Sequence, residues 1–181
     1  MTHPEPMRRP NMVLMLEQMC RDIIQPNFVM AELGCYYGES TEVFARYAQT
    51  VYAIDPWDED YITGPDLQSV GRDWKETMAD VEAMFDAMAA DFTQIKKVKK
   101  RQENAVTIYS DQSLDLVYCD TLHSEEATAS AIDLWLPKLK PGGFMSGHDY
   151  VEAFPGVIRA VDTRKNNTFR LWDDGNWAYQ I

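Results

Sequence analysis

Apolar residues recur at helical spacing at Met12, Met15, Leu16, Met19 and Ile23. That stripe predicts an amphipathic helix, and Pro26 bounds it because the residue before a proline is biased away from helix. The apolar run 28–33 predicts a short buried strand, and a glycine-rich turn follows it. Residues 40–48 read as a helix and 51–54 as a second strand, closed by Asp55 and Pro56. Segment 57–73 is polar, aromatic and turn-rich, so it is expected to be a long loop of the kind that often forms a lid. Met78, Val81, Phe85 and Met88 mark another helix, 95–99 a third strand and 114–119 a fourth, ending at Asp120. Residues 125–139 predict a helix with acids in its first turn, where the helix dipole favours them. Pro141-Gly142-Gly143 reads as a turn, 144–146 as the start of a strand, and 157–163 as a short helix. Two aromatic-rich strands then flank Asp173-Asp174-Gly175-Asn176, a hairpin signal.

Strands alternating with helices imply an α/β fold with a mainly parallel sheet, to which the last hairpin adds an antiparallel strand. Ligands of such sheets bind outside the carboxyl ends of the strands, so the residues just after each strand are the ones to inspect. The 181 residues suit a single domain at 27–181, preceded by the helix and tail at 1–26. No apolar run approaches the ~20 residues of a membrane span, and no signal peptide is evident. Cys20, Cys35 and Cys119 are scattered without a C-x-x-C pair, which argues against disulfides or a zinc cluster and for a reducing cytoplasm. A net charge of −12 repels phosphate backbones, so no nucleic-acid partner is expected; the basic run 96–101 reads as a solvated strand edge. The methionine-rich stripe suits core packing or, between copies of the chain, a homo-oligomer contact.

The strongest local signal is a strand, then Glu32-x-Gly34-x-x-x-Gly38, then a helix starting near Ser40. Glycines let the backbone turn sharply and approach a ligand closely, and the helix start offers free N–H groups. About twenty residues on, Asp55 stands where a carboxylate can accept both hydroxyls of a ribose. Dinucleotide sites want G-x-G-x-x-G under a pyrophosphate, whereas this chain has Tyr36 at the second glycine and the negative Glu32 before the turn. A cofactor bearing an ammonium and a sulfonium suits that charge better, which favours S-adenosylmethionine. A tight turn without a ligand is the remaining alternative.

These residues resemble motif I of class I S-adenosylmethionine-dependent methyltransferases. Asp55-Pro56-Trp57 resembles the acidic ribose-binding position of a sugar-type O-methyltransferase subgroup. The same subgroup is matched by 113–125, with its Asp120-Thr121-Leu122-His123-Ser124, by 135–143, by Gly147-His148-Asp149-Tyr150, and by 155–162. The five motifs run in order over 28–181. The resemblance implies a three-layer Rossmann-like fold, with a seven-stranded sheet whose last hairpin strand is antiparallel. It makes Glu32, Gly34, Tyr36, Gly38, Ser40, Asp55, Trp57 and Asp120 the expected cofactor contacts. Relatives often have a small residue after the third strand; here Gln102 or Glu103 is the candidate for the adenine amino group.

At the reactive end, His123 and His148 each follow a strand with a carboxylate nearby, Asp120 and Asp149. In the implied sheet all four gather at one edge and are the catalytic candidates. Histidine suits general-base work near neutral pH. Alternatively, Asp120, His148 and Asp149 supply ligands for magnesium or manganese, which would hold the acceptor oxygen and lower its pKa. The acceptor is expected to be a small hydroxylated molecule, with Trp57, Tyr61, Trp74 and Tyr150 as candidate rim. The competing functions are a module that holds S-adenosylmethionine or S-adenosylhomocysteine without catalysis, and a dinucleotide oxidoreductase.

Overall fold

A computed structural model gives the structure of the protein and describes residues 8–58 and 77–181. In chain order the helices and strands are α1 (Pro10–Ile23), β1 (Val29–Leu33), α2 (Glu39–Ala45), β2 (Thr50–Asp55), α3 (Met78–Ala89), β3 (Ile95–Lys99), α4 (Gln102–Ala105), β4 (Leu114–Cys119), α5 (Glu125–Trp135), β5 (Leu139–Gly147), α6 (Pro155–Asp162), β6 (Arg170–Leu171) and β7 (Trp177–Gln180). They form one seven-stranded sheet of order β3-β2-β1-β4-β5-β7-β6. The first five strands are mutually parallel, while β7 runs antiparallel to β5 and β6.

Successive side chains of a strand face opposite ways, and here each face acquires its own core. Met30, Val51, Ala53, Leu116 and Tyr118 pack under α1, α2 and α3 through Leu16, Met19, Phe44, Val81 and Phe85. Ala31, Leu33, Ile54, Val117 and Met145 pack under α5 and α6 through Ile132, Trp135, Val157 and Val161. The three layers of the expected Rossmann-like fold are therefore present. Leu16, Met19 and Ile23 of α1 are spent on this core, while Leu14 faces outward, 56% exposed.

Local chemistry sets the element ends. Thr77 caps α3 in a capping box with Asp80. Ser124 caps α5 by accepting from the amide of Ala127, ahead of Glu125 and Glu126. The helix expected over 125–139 stops at Trp135 and tightens into a 3₁₀ turn, Leu136–Lys138, because Pro137 brings no N–H. Pro141-Gly142-Gly143 is not a free turn. It bulges out within β5, since Leu139 pairs with Leu114 and Phe144 with Leu116, and the chain end braces it from Ile181 to Gly142 and Gly143. Helix α4 had no apolar periodicity to announce it. Lys97 and Lys99 in the basic run pair with Glu82 and Asp86 of α3. No described helix is long and apolar enough to cross a membrane. The expected rim residues Tyr61 and Trp74 lie outside the described residues.

Candidate active site

The exits of β1, β2 and β4 meet in a tightly tied turn. Gly34 has φ +84°, and a Cβ there would stand 1.9 Å from the carbonyl oxygen of Asp120, so only glycine lets the β1 and β4 exits touch. Tyr36, at the second glycine position of a dinucleotide loop, also takes a positive φ of 49°. Asp55 holds that conformation: Oδ2 accepts from the amides of Cys35 (2.9 Å) and Tyr36 (3.1 Å), and Oδ1 from that of Trp57 (2.8 Å). Burial raises the Asp55 carboxyl above its ordinary value, against the pull of those three amides. Gly38 serves packing, since a Cβ there would run into Met88 and Phe85 of α3.

Glu32 and Trp57 stand behind the turn. Glu32 is fully buried, and its oxygens accept from the hydroxyls of Ser40 and Thr41 at the start of α2. Burial pushes its carboxyl up to about 7, beyond what the two hydroxyls pull down. The Trp57 indole donates to the carbonyl of Tyr36 (3.0 Å) and packs on Phe85. Past β3, Gln102 is half-buried with its Oε1 lacking a hydrogen-bond partner among the described residues, whereas Glu103 is exposed.

A cavity of about 290 Å³ opens over these exits, lined by Gly34, Tyr36, Ser40, Asp55, Asp120, His123, His148 and Asp149 among others. The reactive candidates do converge. Asp149 Oδ2 meets His123 Nε2 at 2.8 Å, and Oδ1 meets His148 Nδ1 at 3.0 Å. Asp149 has φ +63°, a costly conformation for a residue with a side chain. Its neighbours fix it there: the amide of His148 donates to the Cys119 carbonyl, and the Trp177 indole donates to the His148 carbonyl. His123 stacks on Phe154 at 4.1 Å, and Gly156 lets α6 come within van der Waals reach of its carbonyl. Burial opposes the charge on Asp149, yet hydrogen bonds from both imidazoles hold its carboxyl well below the usual range. Burial also works against a charged His148, but Asp149 and the charge of Asp120 raise it above its ordinary value. His148 Nε2 is buried without a hydrogen-bond partner among the described residues, with Asp174 Oδ2 3.9 Å away.

Ligand atoms of Asp120, His123 and Asp149 all lie within 4.8 Å of one another, a group able to hold a metal ion, and His148 is not part of it. Tyr150 turns from the cavity and donates to Asp162 of α6. Two features had no sequence signal. Arg8, from the tail, lies in the cavity 8% exposed and pairs with Asp120 at 2.5 Å. The hairpin turn folds back beneath His148, where Asp174 accepts from Asn176, whose Oδ1 in turn accepts from Tyr118 at 2.6 Å.

Residues 31–150 match the family described as methyltransferase domain. No curated protein matches the chain in sequence. Among solved structures, it resembles an rRNA methylase from Streptococcus thermophilus (14% identity, 97% of this chain and 96% of that one, TM-score 0.63). It also resembles the O-methyltransferase NovP (16%, 93% and 79%, TM-score 0.67) and the O-methyltransferase of Bacillus cereus in complex with SAH (13%, 98% and 84%, TM-score 0.66). At such identities these likenesses speak for the fold alone. The chain belongs to the methyltransferase-domain family and is a class I S-adenosylmethionine-dependent methyltransferase.

Proposed function

We propose that the protein methylates an oxygen of a small hydroxylated acceptor, of sugar or natural-product type, with His148 as general base and Asp149 as its positioning residue. One observation carries this reading: Asp149 holds His148 by Nδ1, and the buried Nε2, in a residue lining the cavity, makes no hydrogen bond among the described residues, with Asp174 Oδ2 3.9 Å away. A carboxylate that fixes one imidazole nitrogen sets the other to take a proton. Two of the similar structures bear the name O-methyltransferase, which supports oxygen as the target atom.

The residues present fit the cofactor. S-adenosylmethionine supplies an electrophilic methyl group on a sulfonium. Asp55 spends three acceptor positions on backbone amides and keeps about one, on Oδ1, for a ribose hydroxyl. Gln102 Oε1 is a buried acceptor without a partner among the described residues, and it suits the adenine amino group. Glu32 supports the site from beneath by tying α2 to β1. With donor and acceptor held in line, alignment itself supplies much of the rate.

A second reading has its own observation. Asp120, His123 and Asp149 form a donor set for magnesium or manganese, which would polarise the acceptor oxygen. The test of the first is to follow S-adenosylhomocysteine release over a panel of sugars and phenols with wild type, His148→Gln and Asp149→Asn. Both variants should bind S-adenosylhomocysteine as wild type does and lose turnover by roughly 10² or more. Undiminished turnover in both would remove His148 as the base.

A further inference from the structure

We propose that Arg8 is the resident cation of the acidic cluster, so that a divalent ion occupies Asp120, His123 and Asp149 only where Arg8 has withdrawn. The purpose of the site rests on the methyltransferase reading; the cation competition does not.

Each carboxylate of the cluster already has a partner within the chain. Asp120 has Arg8 at 2.5 Å, and Asp149 has His123 at 2.8 Å and His148 at 3.0 Å. Arg8 is not a stray surface contact. It is 8% exposed, and its main-chain N–H donates to the Glu39 carboxylate (3.1 Å) at the start of α2, which pins the backbone at Arg8 itself. A guanidinium stays charged throughout the working pH range, so this cation does not switch off as an imidazole would. A divalent ion on the three donors would share Asp120 with it and would sit beside a like charge among side chains less than a fifth exposed.

The guanidinium also has a hydrogen bond to give. Arg8 Nη1 is buried and has no hydrogen-bond partner among the described residues, in a side chain that lines the cavity. It can donate to the acceptor oxygen and stabilise negative charge growing there, which is the work a divalent ion would otherwise do. Arg8 thereby makes a metal dispensable at this site, and its own hold on Asp120 sets the balance between the two cations.

Manganese binding, followed by electron paramagnetic resonance on the full chain without acceptor, tests this. Wild type and Arg8→Lys should bind manganese weakly. Arg8→Gln should bind it at least about tenfold more tightly, because Asp120 is left unpaired. Adding Asp120→Asn to Arg8→Gln should cancel that gain. Wild type binding manganese as tightly as Arg8→Gln overturns the proposal, as does a gain that survives Asp120→Asn. If Arg8→Gln does not fold, wild type decides: tight binding to it is contrary and weak binding is in favour. S-adenosylhomocysteine affinity is measured on the same samples. Its absence throughout would count against the methyltransferase reading and leave the manganese comparison standing.

Discussion

Replacing Glu32 by glutamine removes a charge that the fold buries completely. The carboxyl is raised from 4.5 to about 7, chiefly by burial, although Ser40 and Thr41 donate to it. The folded protein therefore holds this proton more tightly than the unfolded chain does. The resulting stability is fully present below pH 4.5 and is lost as pH rises through about 7. A shift of that size corresponds to about 3 kcal/mol. Glutamine cannot ionise, and its amide can still accept one hydroxyl and donate to the other. Unfolding by urea or heat from pH 5 to pH 8 measures the effect. The stability of wild type relative to Glu32→Gln should fall by about 3 kcal/mol across that window, or roughly 6–12 °C in Tm for a chain of this size. Asp55 and His148 are common to both proteins and cancel in the difference; Asp149 titrates well below the window. A difference that stays flat with pH would refute the argument. A Glu32→Gln protein that folds normally but no longer binds S-adenosylhomocysteine would put the carboxylate on the ligand rather than beneath the turn.

Gly34→Ala should cost more than about 2 kcal/mol, from the positive φ and the contact with the Asp120 carbonyl, and should weaken S-adenosylhomocysteine binding as the β1 and β4 exits separate; an unchanged melting temperature contradicts this. Asp55→Ala frees three backbone amides and should reduce S-adenosylhomocysteine affinity at least about tenfold by calorimetry, whereas undiminished affinity would remove Asp55 from the cofactor site. The acidic limb of the pH–rate profile should have its midpoint above 6.5, because Asp149 and Asp120 stabilise protonated His148. In residual Asp149→Asn activity that midpoint should move down, and a midpoint that stays in place would assign the limb to another group.

The order of strands and helices was legible because each strand is a short apolar run and each long helix carries an apolar stripe, as in Leu16, Met19 and Ile23 or Val81 and Phe85. The convergence of Asp120, His123, His148 and Asp149 was legible too, because each follows a strand that the topology makes a neighbour of the next. What each residue of the turn touches was not. Glu32 reads as a charge offered to a ligand, yet alternation along β1 turns it beneath the loop, where Ser40 and Thr41 take it up. Trp57 reads as a cofactor contact, and nothing in the sequence says that its indole also ties the turn to α3. Gly38 reads as a ligand-facing glycine, but Phe85 and Met88 fill the space beside it. Such facts belong to side-chain packing between distant segments. Arg8 is the extreme case, since its pairing with Asp120 spans 112 residues and follows no periodicity.

The central claim is that the turn from Gly34 to Gly38, with Asp55, holds S-adenosylmethionine. Calorimetric titration with S-adenosylhomocysteine, beside NAD as control, tests it most directly. Saturable micromolar binding of S-adenosylhomocysteine, with none of NAD, is the predicted result. NAD binding in its place, or no binding of S-adenosylhomocysteine at all, would contradict it.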